Sequence, residues 1–340
     1  MSVALDIVDD LLSLFETGID HVKQPALFPD YLSLKRVPVS SLYKDTDNAK
    51  EKISEMFAKY GFLILENDIP MKQRVVKSAE ELSLRFFNDP AMNVADKMKR
   101  YHTDKELGYA NTTAKEAFHI KVFDECTHKD IQHPFPGGEF ESVLTEVYFF
   151  LESITKRVFE IVMSKYEEEK KKESRSAEKI DLNAFRAIGT PKDGRFSSSL
   201  LSVFCYRNTH TCLNDKDAAK VVNCNAHVDQ GFLSIEPCPN VTGLEVFLFA
   251  TKEWIRIDQF LQKHDLVLFC SETTERITQS YYRGVLHRVG ANDAQRLSMV
   301  YKMRHKDITP DDMKLHFGPD EQHAFYQYNE NGDLVKLSFE

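Results

Sequence analysis

The stretch Asn225-Ala226-His227-Val228-Asp229 places a histidine and an aspartate one residue apart. In a β-strand, residues i and i+2 point to the same face, so the imidazole and the carboxylate are expected to project side by side. One nitrogen ligand beside one oxygen ligand is a poor cage for structural zinc but a good corner of an open metal site. Such a site needs a further ligand from another part of the chain.

A second histidine, His287, follows 58 residues after Asp229. Two histidines and one carboxylate on one face of a metal ion, with the other coordination positions free, suit non-haem Fe(II) in oxygenases. We therefore predict that His227, Asp229 and His287 are the metal ligands and form the catalytic centre.

Nine residues after His287, Arg296 and Ser298 again stand two apart, in an apolar run that is typical of a buried strand. Their side chains are expected to share a face, where a guanidinium and a hydroxyl form a clamp for a carboxylate. A metal triad beside such a clamp implies a dicarboxylate that chelates iron at one end and is held at the other.

Together these motifs resemble those of the 2-oxoglutarate and Fe(II)-dependent dioxygenases, and most closely those of the isopenicillin N synthase-like branch. Gly231 and Leu233 continue a His-x-Asp-x-Gly-x-Leu pattern, and 243–246 is similar to a Gly-Leu-Gln-Val strand of the family. The resemblance extends over residues 36–305, which is most of the chain.

The resemblance implies Fe(II), 2-oxoglutarate and O2 as the cofactors. It also implies that Arg296 and Ser298 bind the far carboxylate of 2-oxoglutarate. Tyr206 takes the place of the family tyrosine that bonds the same carboxylate, so it is predicted as a third residue of this cofactor-binding site.

The activity that the resemblance implies is that of an oxidoreductase. It hydroxylates, desaturates or closes a ring in a small organic substrate, and it releases succinate and CO2. One alternative is an oxidase of the same fold that uses Fe(II) and O2 without 2-oxoglutarate, as isopenicillin N synthase-like members do while keeping Arg-x-Ser. A second alternative is a non-catalytic sensor that binds a metal or another ligand.

The composition is that of a soluble globular protein, with 42% hydrophobic and 29% charged residues in 340. A net charge of -9 argues against nucleic acid and membrane surfaces as partners, because both favour a basic protein. The six cysteines have no Cys-x-x-Cys spacing, and neither a signal-peptide pattern nor a membrane-spanning run is present. We predict a cytoplasmic protein with a small-molecule substrate, whose identity and oligomeric state stay open.

From residue 200 onward, short apolar runs alternate with turn residues, which is typical of a β-sandwich or β-barrel. With the family resemblance, the predicted fold is mainly β with flanking helices (α+β), built on a double-stranded β-helix (jelly roll). We expect a jelly-roll core at 196–305 and an N-terminal helical and β region at 1–195 that packs on it. The part of that region from about 36 resembles the N-terminal region of non-haem dioxygenases. A C-terminal extension at 306–340 is predicted to hold a β-hairpin around Asn331-Gly332.

Helical periodicity predicts helices at 2–20, 49–60, 71–99 and 140–166. The charged run at 167–179 is predicted as a mobile loop. Lys115 lies in a segment that borders the substrate cavity in the resembling family, so it could contact the substrate, but we predict a solvated lysine.

Overall fold

We describe the protein from a computed structural model. The residues that it describes are 36–44, 47–102, 107–112, 115–121, 135–172, 199–207, 222–291, 294–304, 326–328 and 334–336. All of them belong to one compact unit, Lys35–Glu340. The helix predicted at 2–20 lies outside the described residues.

The described residues form five α-helices. They are α1 (Asp47–Tyr60), α2 (Pro70–Phe87), α3 (Val94–Tyr101), α4 (Gly138–Lys172) and α5 (Glu272–Ile277). Helix α4 continues to Lys172, so the loop predicted from residue 167 was wrong in this part. The i,i+3 ion pairs Lys165–Glu168 at 3.0 Å and Lys172–Glu169 at 2.6 Å favour the helix there. None of these helices combines the length and the apolar character that crossing a bilayer requires.

The single helix predicted at 71–99 was wrong, because the structure has two helices there. Helix α2 ends at Phe87 and α3 begins only at Val94. Pro90 cannot donate the backbone hydrogen bond that a continuous helix needs. Asn93 then caps α3, since its side chain accepts a hydrogen bond from the backbone N–H of Asp96 at 3.0 Å.

The strands form two larger sheets and one small one. They are β1 (Val37–Pro38), β2 (Phe62–Glu66), β3 (Gly108–Asn111), β4 (Lys115–Ile120), β5 (Leu200–Tyr206), β6 (Val222–His227), β7 (Leu233–Pro237), β8 (Leu244–Leu248), β9 (Glu253–Arg256), β10 (Asp265–Cys270), β11 (His287–Gly290), β12 (Arg296–Met303), β13 (Tyr326–Tyr328) and β14 (Leu334–Lys336). The order in the eight-stranded sheet is β1-β2-β10-β7-β12-β5-β4-β3, and in the four-stranded sheet it is β6-β11-β8-β9.

The two larger sheets face each other, and this confirms the predicted jelly roll. Phe269 of β10 stacks on His287 of β11, with ring centroids 5.2 Å apart and an interplanar angle of 9°. The outer face of the large sheet is covered by α4, where Tyr148 packs edge-on against Tyr301 of β12 at 5.1 Å. The helices therefore cover one face, and the opposite face of this sheet is left for the site.

The C-terminal strands β13 and β14 are antiparallel, with Tyr328 opposite Leu334. This confirms the predicted hairpin, although its turn lies outside the described residues. The boundaries at residues 195 and 305 stay predictions.

Candidate active site

The two predicted histidine ligands are brought together by strand pairing. His227 is the last residue of β6 and His287 is the first residue of β11, and the two are opposite each other in the antiparallel register. Asp229 lies beyond the end of β6, so the prediction that both residues of His-x-Asp belong to one strand was wrong. The chain turns away from the sheet here, and Gly231 adopts a φ of +106° that disfavours other residues.

The three side chains nevertheless converge on one point. Their ligand atoms all lie within 4.8 Å of one another. Nε2 of His227 is 3.5 Å from Oδ1 of Asp229, and Nε2 of His287 is 3.8 Å from Oδ2 of the same carboxylate. Asp229 and His287 are buried, whereas the side chain of His227 is 37% exposed. The centre is therefore open on the side of His227.

Both imidazoles present the same nitrogen to the centre. Nδ1 of His227 is 2.8 Å from the carbonyl oxygen of Asn225, and Nδ1 of His287 is 3.0 Å from that of Val285. A carbonyl oxygen can only accept, so Nδ1 carries the proton and donates in both rings. The lone pair of Nε2 then faces Asp229, which is the arrangement that a metal-binding histidine requires.

The charges at the triad favour the protonation states that bind a cation. Burial by itself would raise the pKa of Asp229, but the neighbouring Lys302 ammonium and His287 outweigh burial and hold the pKa well below its usual value. The Lys302 ammonium also donates a hydrogen bond to Oδ1 of this carboxylate. Burial, with the adjacent His227, lowers the pKa of His287 to about 4. At neutral pH the aspartate is ionised and His287 is neutral, as metal ligation demands.

The structure brings Arg296 and Ser298 to one face of β12, as predicted from their spacing. Arg296 is fully buried and Ser298 is 2% exposed. Nε and Nη1 of Arg296 and Oγ of Ser298 make no hydrogen bond within the described part of the protein. Unpaired buried donors are costly, at about 1–3 kcal/mol each, and a carboxylate would satisfy them.

Arg296 also has two protein carboxylates beside it. Its Nη2 donates to Oε1 of Glu236 at 2.9 Å and is 3.8 Å from Oδ2 of Asp258. Asp258 accepts hydrogen bonds from the backbone N–H groups of Gly243 and Leu244 at 2.6 and 2.8 Å. Burial raises the pKa of Asp258 to about 6, although Arg296 opposes this. The guanidinium is thus fixed from one side, while two of its nitrogens stay available.

The clamp lies next to the metal triad. A side chain at Gly243 would come within 3.2 Å of Cδ of Arg296 and 3.6 Å of Cγ1 of Val289. Val289 is two residues from His287 on β11, on the same face. Tyr206 is opposite Arg296 in the sheet, and its ring centroid is 5.5 Å from Cζ of the guanidinium. The predicted tyrosine is therefore in contact with the clamp through its ring.

Two residues of this site were not predicted. Lys302 lies four residues after Ser298 on β12, an even spacing that places it on the same face, so strand alternation could have indicated it. Glu236 is an acidic residue in the otherwise apolar strand β7. Because a buried carboxylate needs a cationic partner, its position in the sequence could have indicated a cation on a neighbouring strand.

The donor set fits the class of cofactor that was expected. Two imidazole nitrogens and one carboxylate suit Fe(II), and the buried donors of Arg296 and Ser298 suit a carboxylate of 2-oxoglutarate. Residues 198–305 match the family model of the 2OG-Fe(II) oxygenase superfamily. The matched residues include the whole triad together with Arg296 and Ser298, and the enzymes of this superfamily use Fe(II), 2-oxoglutarate and O2.

Solved structures support the fold of this class. A full-length Neurospora crassa protein in complex with alpha-KG and 5-formyluracil is 17% identical, with a TM-score of 0.64 over 84% of this chain and 89% of that one. The dioxygenase for auxin oxidation of rice is 15% identical, with a TM-score of 0.57 over 81% and 84%. Its Arabidopsis thaliana counterpart, in complex with 2-oxoglutarate, is 13% identical, with a TM-score of 0.56 over 80% and 92%. No curated protein matches the sequence.

Proposed function

We propose that this protein is an Fe(II)- and 2-oxoglutarate-dependent dioxygenase that oxidises a small organic substrate by hydroxylation, desaturation or ring closure, with release of succinate and CO2. His227, Asp229 and His287 would hold the metal, and Arg296 with Ser298 and Tyr206 would hold 2-oxoglutarate. Fe(II) with 2-oxoglutarate supplies the activation of O2 when both are bound.

The observation that carries the proposal is the set of buried donors beside the triad. Nε and Nη1 of Arg296 and Oγ of Ser298 are buried without a hydrogen bond in the described residues. Leaving such donors unpaired is costly, so they favour a carboxylate ligand at this place, and 2-oxoglutarate supplies one. Because oxidases of the same fold keep Arg-x-Ser, the assay of succinate described below is needed to separate the two activities.

The remaining residues of the site have supporting roles. The hydrogen bonds from Nδ1 to backbone carbonyls keep both imidazoles in the metal-binding orientation. Phe269 covers one face of His287 and keeps water from that side of the ring. Lys302 fixes the orientation of the Asp229 carboxylate through its hydrogen bond.

The domain bounds and the family branch that we predicted are also part of this proposal. We propose a jelly-roll core at 196–305, an N-terminal helical and β region at 1–195, and a C-terminal extension at 306–340. We also propose that the protein is a member of the isopenicillin N synthase-like branch. Small molecules bound in the neighbouring structures, such as thymine in complex with the Neurospora crassa protein, are consistent with a small-molecule substrate here. The four described cysteines are free thiols, which suits the reducing cytoplasm that we propose as the location.

The test is an anaerobic titration of the purified protein with Fe(II), with and without 2-oxoglutarate, followed by the charge-transfer absorbance of the chelate. We expect the band only when both are present and expect it to be lost in Asp229→Ala. His264→Ala, which removes a histidine outside the triad, should keep it and serves as the matched control.

Succinate formation on admission of O2 then separates the remaining functions. A protein that forms the chelate and yields succinate with a substrate supports the proposal. O2 consumption with a substrate but without 2-oxoglutarate would establish the oxidase instead. Binding of both cofactors without O2 consumption across a substrate screen would point to the non-catalytic sensor.

A further inference from the structure

Lys115 lies in the same cross-strand row as the 2-oxoglutarate clamp. On β4 it is opposite Tyr206 of β5, and Tyr206 is in turn opposite Arg296 of β12. Directly opposed residues of neighbouring strands point to the same face, and neighbouring strands are about 4.8 Å apart. The lysine is therefore on the inner face of the large sheet, two strands or about 10 Å from the clamp.

The ammonium of Lys115 lies between the two sheets. Nζ is 4.4 Å from the ring centroid of Phe204 and 5.3 Å from that of Tyr206. From the other sheet, Sγ of Cys224 on β6 is 3.9 Å away. The β6–β11 register shifts between Cys224 and His227, so a bulge allows both to face inward despite their three-residue spacing. The amine is thus directed into the space between the two sheets, towards β6, the strand that ends at the metal ligand His227.

Lys115 differs from the other cations of this face. Arg296 is paired with Glu236 at 2.9 Å, and Lys302 is paired with Asp229. Within the described ranges, Lys115 has no carboxylate partner, and its polar contact is the Cys224 thiol.

The neighbouring acid, Glu116, does not compensate Lys115. It follows Lys115 on β4 and so points to the opposite face. There it accepts a hydrogen bond from the hydroxyl of Tyr109 and pairs with Lys97 and Arg207, each at 3.3 Å. Its charge is therefore already committed to another cluster.

A half-buried ammonium that meets aromatic faces and a thiol gains much more from an anion than from these contacts. We propose that Lys115 is a specificity-determining residue that binds a carboxylate of the substrate, and that the substrates are small carboxylic acids. Phe204 would form the apolar surface beneath this carboxylate. The inference rests on the proposed function, because that function assigns the 2-oxoglutarate carboxylate to Arg296, on the far side of Tyr206.

The test is calorimetric titration of the anaerobic protein loaded with Fe(II) and 2-oxoglutarate. The probes are carboxylic acids matched with their primary amides: phenylacetate with phenylacetamide, benzoate with benzamide, and hexanoate with hexanamide. We expect the wild-type protein to bind at least one acid tenfold or more tightly than its amide. In Lys115→Met the affinity for that acid should fall about 10- to 100-fold, to the level of the amide.

Two further variants control this result. Lys115→Arg keeps the charge and should retain acid binding within a few-fold, which a purely structural role of the lysine would not explain. Lys77→Met removes an exposed lysine from α2 and should leave all affinities unchanged.

The 2-oxoglutarate affinity of the same samples, read from the charge-transfer band, separates the remaining outcomes. An unchanged 2-oxoglutarate affinity in Lys115→Met, together with the loss of acid binding, supports the inference. A large loss of 2-oxoglutarate affinity in this variant would overturn it, and so would a wild-type protein that binds none of the acids more tightly than the amides. Absence of the band in the wild-type protein would overturn the proposed function, and the inference with it.

Discussion

Removal of the Arg296 guanidinium is expected to have two separable effects. Arg296→Met deletes the charge-assisted contact to 2-oxoglutarate, worth about 2–3 kcal/mol, so the dissociation constant of 2-oxoglutarate should rise about 30- to 140-fold. The same change leaves Glu236 buried without its partner at 2.9 Å. An uncompensated buried charge costs about 3–5 kcal/mol, which is a large part of the stability of a typical domain.

A double variant separates binding from folding. In Arg296→Met/Glu236→Leu both charges of the pair are removed, and replacing a buried ion pair by apolar residues is often neutral or stabilising. We therefore expect the double variant to recover most of the free energy of unfolding that Arg296→Met loses. Its affinity for 2-oxoglutarate should stay as low as that of the single variant.

The affinities follow from anaerobic titration of the Fe(II) protein with 2-oxoglutarate, and the stabilities from urea unfolding of the metal-free protein. Fe(II) binding should be unchanged in both variants, since the triad is intact. A double variant that binds 2-oxoglutarate within threefold of the wild type would refute the role of Arg296 as the clamp. A single variant as stable as the wild type would refute the argument about the buried pair.

Further predictions concern the triad and the turn beside it. Asp229→Ala should abolish Fe(II) binding, measured by metal analysis after gel filtration, while circular dichroism shows a folded protein. Because the pKa of His287 is lowered, the unfolded chain binds a proton more readily than the native metal-free protein does. The contribution of His287 to the free energy of unfolding is therefore complete above pH 6.5 and is lost as the pH falls to 4, by about 3 kcal/mol in all. The raised pKa of Asp258 has the opposite effect, because its protonation stabilises the native protein as the pH falls from 6 to 3.8. The urea midpoint of the wild type should therefore change little in this range. In Asp258→Asn this compensation is removed, and the midpoint should fall steeply in acid. Gly231→Ala places a Cβ 2.5 Å from a backbone carbonyl at a φ of +106° and should cost on the order of 2 kcal/mol in urea unfolding, whereas Gly138→Ala, with nothing within 4 Å, should not.

Strand alternation was a reliable guide to the clamp but only a partial one to the triad. Arg296 and Ser298 share a face because β12 is regular over eight residues. The same reasoning applied to His227 and Asp229 assumed that the strand continues, whereas β6 ends at His227. The two ligands still meet because the following turn returns the carboxylate to the end of the strand.

At the helix boundaries, hydrophobic periodicity was outweighed by residues that end or begin a helix. The apolar positions at 71–99 fit one helix, yet Pro90 and the cap at Asn93 divide this segment into two helices. The charged run after residue 166 was interpreted by composition, although its i,i+3 charge pairs favour a helix up to Lys172.

By itself, the sequence determined the residue types and their local geometry. Each of the three motifs can be recognised from a few adjacent residues: His-x-Asp, the later histidine and Arg-x-Ser. The two-residue period of a strand is likewise a local property of the backbone. Only the tertiary structure decided which charges meet. The pairs Arg296–Glu236 and Lys302–Asp229 join residues 60 and 73 positions apart, and Lys115 is left without a carboxylate partner among the described residues. Such pairings depend on strand order and register, which the whole packed core fixes and no short segment encodes.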